Sequence, residues 1–163
     1  MLYILIHIMP FEIDNYVYDS ELLIAYCNIF KPKIEKISMN SPIILNNVVK
    51  KEWFSNKYSN GLSILDVIDN KKKYPNHYKR MLDADTKYPI IIWKEKNLVI
   101  DGNHRLGNAI INDHKYIKAY VFDNKLMKKF RIGKFSNRRG YNKIVEKINP
   151  NFLITLFYKR FVE

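Results

Sequence analysis

The sequence predicts an α/β chain of the α+β kind, a small mixed β-sheet flanked by helices, with a basic C-terminal extension. Three observations carry this expectation. Apolar runs rich in Ile, Val and aromatic residues recur at 2–9, 89–93, 98–100 and 117–122, short enough to be buried strands. Helix-start signals and helical apolar spacing alternate with them. The chain has 163 residues and is 47% hydrophobic, which suffices for a core and sets one domain, 1–163, as the expectation.

Residues 2–9 read as a first strand, ended by Pro10. Ser20 is the expected N-cap of a helix over 21–30, which Lys31-Pro32 ends. Residues 34–39 read as a short strand. Ser41-Pro42 has the form of an N-cap followed by proline at the first helical position, predicting a helix to about residue 54. Residues 56–61 are a polar connection. Segments 63–68 and 75–82 are short helices, separated by the solvated run Lys71-Lys72-Lys73. Pro89-Ile-Ile-Ile-Trp93, a polar turn at 94–97 and Leu98-Val-Ile100 read as a hairpin of buried strands. Asp101-Gly102-Asn103 breaks the second strand. Residues 104–112 follow with Leu106, Ala109 and Ile110 on one helical face, and 117–122 form the next strand. Asp123 or Asn124 caps a short helix through Phe130, and Arg138-Arg139-Gly140 is a basic loop. Residues 152–162 fit helical and strand spacing alike.

Composition excludes several classes. Neither G-x-x-x-x-G-K-[ST] nor G-x-G-x-x-G occurs, so a P-loop and a dinucleotide fingerprint are absent. Cys27 is the only cysteine, so there is no intramolecular disulfide framework and no multi-thiolate zinc site. The apolar N-terminus is too short to span a bilayer and lacks a positive n-region and a small-residue cleavage site. The expectation is a soluble, intracellular (cytoplasmic) protein with no membrane partner.

The net charge is +12, and it is uneven. Residues 83–163 hold 17 basic and 8 acidic side chains, and 125–143 hold eight basic and no acidic ones. Lys128, Lys129, Arg131, Lys134, Arg138 and Arg139 are the expected grip on DNA or RNA, with Phe130, Phe135 and Tyr141 interleaved as stacking platforms. The same residues also fit a plain lysine-rich solvated surface.

Asp101-Gly-Asn-His-Arg105 lies where a strand passes into a helix N-terminus. Helix-initial N–H groups lack partners within the helix, and the dipole adds partial positive charge, so anions bind there. Gly102 permits a positive φ and close backbone approach. Arg105 carries a planar fork matched to phosphate. Asn103 and His104 have donors for phosphate oxygens, and Asp101 could hold a divalent cation, orient His104 or accept a proton. The plain alternative is a turn at Asp101-Gly102, an N-cap at Asn103 and surface positions for His104 and Arg105.

The stretch Tyr88-Pro-Ile-Ile-Ile-Trp93, Leu98-Val-Ile-Asp-Gly-Asn-His-Arg-Leu-Gly-Asn-Ala109 and Ile117-Lys-Ala-Tyr-Val-Phe122 resembles the core of the ParB/sulfiredoxin superfamily. The resemblance covers about 35 residues convincingly. By position it extends over about 34–122, with 125–163 as the extension. It implies that Gly102, Asn103, His104 and Arg105 contact nucleotide phosphates, with Asp101 beside them. It implies ATP, ADP or CTP with Mg²⁺ as the ligand, and phosphoryl transfer, nucleotide hydrolysis or nuclease action as the chemistry, with Asp101, His104 and Arg105 as catalytic candidates. Asn103 stands where sulfiredoxin has a cysteine, and few residues follow Phe122, so neither sulfiredoxin nor a chromosome-partition protein is expected. The Asp-Gly-x-His-Arg form is closer to the free serine kinase and to stand-alone virus-like members. The upstream glutamate of that kinase has only Glu35 and Glu52 as candidates here, and neither sits in a matching motif. No resident metal site is expected, since His77 and His114 lack ligand spacing. Asp66 and Asp69 are either carboxylates for a phosphate-borne Mg²⁺ or exposed helix charges. His7 reads as a core histidine and Trp53 and Trp93 as core residues. Two alternatives stand beside a nucleotide enzyme. One is a nucleic-acid-binding module or nuclease gripping through 125–143, and the other is a catalytically silent interaction protein. Sequence does not set the oligomeric state.

Overall fold

In the computed structural model of the protein, residues 8–51 and 61–163 are described. In chain order the elements are β1 (Pro10–Ile13), β2 (Tyr16–Asp19), α1 (Ser20–Phe30), β3 (Glu35–Ser38), α2 (Pro42–Val49), α3 (Ile64–Asp69), α4 (Pro75–Asp83), β4 (Ile90–Trp93), β5 (Leu98–Asp101), α5 (Asn103–Ile111), β6 (Tyr116–Phe122), α6 (Asn124–Lys129), β7 (Gly133–Lys134), α7 (Arg138–Glu146) and α8 (Pro150–Phe157), closed by a π-helical turn, Tyr158–Val162. The mixed α+β class is as expected, but the strands form two small sheets rather than one. The chain divides into two compact units: Lys33–Asp123, and the segment ending at Pro32 together with Asn124–Glu163.

The Lys33–Asp123 unit is built on a four-stranded sheet of order β3-β6-β4-β5. β4 runs parallel to β6, and the other two pairs are antiparallel. β4 is buried along its whole length, which is why it reads as an unbroken apolar run. One sheet face carries Ile90, Ile92, Val99, Ile117 and Ala119, and packs on Ile44 and Val48 of α2, Ile64 and Val67 of α3, Met81 of α4, and Leu106 and Ala109 of α5. Each fully buried Ile or Leu in this core contributes about 1.5–3 kcal/mol.

Buried polar residues fix the helices on this core. Asn47 donates to the carbonyls of Ile43 (2.7 Å) and Asn97 (2.8 Å) and accepts from Val99 N–H (2.9 Å), tying α2 to the β4–β5 hairpin. Asn108 donates to the carbonyls of Met81 (2.9 Å) and Leu82 (3.3 Å), satisfying the end of α4. Beside it, a Cβ on Gly107 would lie 2.6 Å from Met81 Sδ, so any larger residue there would have to displace the buried Met81 side chain. Ser63 and Asp66 form a capping box on α3. That cap accounts for Asp66, and the Ser63 hydrogen bonds hold its carboxyl below the usual range. α2 begins at Pro42 as expected but stops at Val49, where Lys50 turns extended. The expected helix through residue 54, the connection from 56, His7, Glu52 and Trp53 fall wholly or partly outside the described residues.

The other unit carries a three-stranded antiparallel sheet, β1-β2-β7. Pro10 opens β1 instead of ending a strand, as an edge strand tolerates because the missing N–H faces away from the ladder. Of the expected strand 2–9, only residues 8 and 9 are described, and they are not strand. Asp14 and Asn15 turn the β1–β2 hairpin with φ of 53° and 63°, the left-handed pair that a two-residue hairpin turn needs. Asp19, not Ser20, caps α1, accepting from the N–H groups of Glu21 and Met9, both at 2.9 Å. Its burial still raises the carboxyl above its usual value. The segment 138–140 is the first turn of α7, not a loop, because the Asn137 side chain accepts from Gly140 N–H at 2.8 Å. The ambiguous segment 152–162 is helical.

Candidate functional site

The chain reaches the candidate site through a bulge. Val99 pairs with Ile92, but Asp101 pairs with Ile91, so Ile100 is the extra residue of β5. Regular pairing would set Asp101 opposite Ile90, within the core face. The bulge turns it away, the use bulges find beside functional positions. Gly102 follows with φ +103°, and a Cβ there would lie 2.5 Å from Ile90 Cγ2 and 3.1 Å from Arg105 Nε. Conformation and space both require glycine at this junction.

α5 starts at once, with no side-chain cap at Gly102. The N–H groups of Asn103, His104 and Arg105 therefore have no acceptor within the helix, whose first internal bond runs from Leu106 N–H to the Gly102 carbonyl at 2.9 Å. Arg105 reaches back one turn to Asp101, with Nη2 2.5 Å from Oδ2. Both side chains are about one-quarter exposed (22% and 24%). Asp101 thus fixes the guanidinium and uses one donor of its fork. The remaining donors keep the planar geometry suited to phosphate.

α4 supplies what sequence spacing did not show. His77 Nδ1 lies 3.2 Å from His104 Nε2, with ring planes 17° apart and centroids 5.5 Å apart. One nitrogen of this contact carries the proton and the other accepts it. Burial, then His77, Arg80 and Arg105, push His104 down to about 4. Burial, then Arg80, lowers His77 as well. Both imidazoles are consequently neutral at pH 7, close to the anchored Arg105 guanidinium and the exposed Arg80. Five of the residues singled out in the sequence are thereby gathered at one helix terminus. His77 and Arg80 were not legible, since they lie about 25 residues upstream on another helix.

This donor set fits an anion. It does not fit a resident cation: Asp101 is engaged by Arg105, the neighbours are cationic, and among the described residues no group of three or more His, Cys, Asp or Glu could hold a metal ion. His114 lies elsewhere, on a groove of the same unit that residues 101–105 do not line.

The basic 125–143 segment is placed differently from the expectation. Phe130 is fully buried within a ring cluster with Tyr26 and Phe161, so it is core and not a stacking platform. Phe135 and Tyr141 are spent partly on each other, edge to face at 5.3 Å. Arg131 lies 3.8 Å over the Tyr16 ring, with Lys134 on the same ring at 5.8 Å. Arg138 makes two 3.0 Å bonds to Glu12 and stacks 4.6 Å over Tyr141. Lys128, Lys129 and Arg139 are exposed, with Lys129 Nζ 5.9 Å from the Phe161 ring. The segment is charged, but Arg131 and Arg138 and the rings of Phe130, Phe135 and Tyr141 are engaged by other side chains, which leaves Lys128, Lys129 and Arg139 among its exposed charges.

The fold is that of a small α+β protein in which a strand, a bulge and a glycine lead directly into an uncapped helix N-terminus. Comparison with known proteins finds no matching family model, no matching curated protein and no matching solved structure. No helix among the described residues is long and apolar enough to cross a membrane.

Proposed function

We propose that the Asp101–Arg105 loop binds the phosphate chain of a nucleotide and supports phosphoryl transfer or hydrolysis. The observation that carries this reading is the meeting of an uncapped helix N-terminus with the Asp101-anchored Arg105 and the neutral His77–His104 pair. The resemblance of 88–122 to the ParB/sulfiredoxin core is in accord with it. Helix-initial N–H groups and the remaining Arg105 donors would stabilise charge on the phosphate oxygens. Asp101 acts as a positioning residue for Arg105. His104, being neutral, is able to take the proton of an attacking hydroxyl or water, and charge gathering on the phosphate raises its basicity where it is needed. Mg²⁺, in this reading, travels with the nucleotide, and no step is assigned to it.

A thermal-shift panel of ATP, ADP, CTP and GTP, with phosphate release measured for any nucleotide that stabilises the protein, tests the reading. A ligand bound only by the folded state must raise the melting temperature. One or more nucleotides should stabilise wild type, and Arg105→Ala and His104→Ala should remove the effect while staying folded. Equal stabilisation of both variants, or none of wild type, would reject it.

A further inference from the structure

A groove of about 340 Å³ at the β3–β6 side of the Lys33–Asp123 unit is lined by Lys36, Lys87, Lys118, His114 and Tyr116, with Asp85 as its one carboxylate. The 101–105 loop takes no part in it. The ladder register sets Lys36 directly opposite Lys118. Like charges in that relation repel. A lysine on an edge strand guards against edge-to-edge pairing, which accounts for Lys36 on β3. It does not account for Lys118, because β6 is an interior strand. Both lysines are exposed, and neither makes an ion pair among the described residues. Lys87 meets Asp85 at 3.3 Å, but both are at least half exposed, so a competing anion displaces this pair readily. Tyr116 is 59% exposed and lies two residues from Lys118, on the same sheet face.

Unpaired lysines held together beside an exposed ring match the two needs of single-strand binding, phosphate neutralisation and base stacking. We propose that it binds single-stranded nucleic acid, with Lys36 and Lys118 holding phosphates and Tyr116 stacking on a base. The proposal stands independently of the nucleotide reading of the 101–105 loop.

The test is a salt series of fluorescence-anisotropy titrations with oligo-dT and with an abasic strand of equal length. The proteins are wild type, Lys36→Ala/Lys118→Ala, Tyr116→Ala and the control Lys128→Ala/Lys129→Ala. Loss of two phosphate contacts should flatten the log–log salt slope by about 1.4, or roughly sevenfold in affinity change between 50 and 200 mM salt. Tyr116→Ala should weaken oligo-dT by about fivefold or more while sparing the abasic strand. Melting temperatures confirm that each variant is folded, and the groove pair should match or exceed wild type because a repulsion has been removed. The proposal fails if binding is not salt-dependent, if the Lys128/Lys129 control flattens the slope as much as the groove pair, or if Tyr116→Ala does not distinguish the two strands.

Discussion

Lowering the pH should destabilise this protein through His104, and the size of the effect follows from the site. An unfolded histidine titrates near 6.5, whereas burial and the neighbouring cations hold His104 at about 4. Between these values the unfolded chain binds the proton and the folded chain does not. Stability from this group is therefore fully present above about pH 6.5, falls as pH drops, and stops falling near pH 4. The imidazole is only half-buried, so solvent screening reduces the roughly 3 kcal/mol that the full difference would represent, and about 1 kcal/mol is expected to be lost by pH 5. For a chain of this length that is a fall of about 2–4 °C in melting temperature. His77 is lowered too and acts in the same direction. Thermal and denaturant melts from pH 7.5 to 4 on wild type and His104→Gln provide the assay. The variant cannot titrate at this position and should show a shallower acid limb, and a saturating phosphate ligand should flatten the wild-type limb as well. Parallel profiles for wild type and His104→Gln would refute the account of a half-buried imidazole held neutral by its surroundings.

Other substitutions probe the frame of the site. Gly102→Ala combines a left-handed residue with a Cβ 2.5 Å from Ile90, and should cost about 2–4 kcal/mol in denaturant unfolding. Asn47→Ala strands the Val99 N–H and deprives two carbonyls of their donor, so a loss of about 2–4 kcal/mol is expected from the same measurement. Asp101→Asn keeps the side-chain shape but weakens the hold on Arg105, so nucleotide affinity measured by calorimetry should fall while the melting temperature changes little.

What sequence revealed, and what it did not, follows from the range of each signal. β4, β5, α5 and β6 were legible because a buried strand needs a continuous apolar run and Gly102 marks the junction. Their local patterns agree with their tertiary roles. The β1–β2 hairpin was missed because Asp14-Asn15 turns it without the glycine that usually advertises such a turn. Two adjacent residues that tolerate positive φ were the available clue. The helical start at Arg138 was hidden because its cap, Asn137, resembles any polar loop residue. Phe130 was misread because interleaving with lysines says nothing about which face a short helix buries. At the site, Asp101–Arg105 could be assembled from adjacency alone. Its electrostatic state could not, because that depends on His77 and Arg80, which only the packing of α4 against α5 brings near. The bulge at Ile100 was equally invisible, since a one-residue shift in register leaves the apolar pattern nearly unchanged.

The central claim is that an Asp101-anchored Arg105 at the α5 N-terminus receives nucleotide phosphate. Calorimetric titration of ATP, ADP, CTP and GTP into wild type and Arg105→Ala at pH 7 tests it most directly. The account predicts saturable binding of at least one nucleotide by wild type and a loss of at least tenfold in the folded variant, about 1.4 kcal/mol or more. Equal affinity in the two proteins, or no binding to wild type, would contradict it.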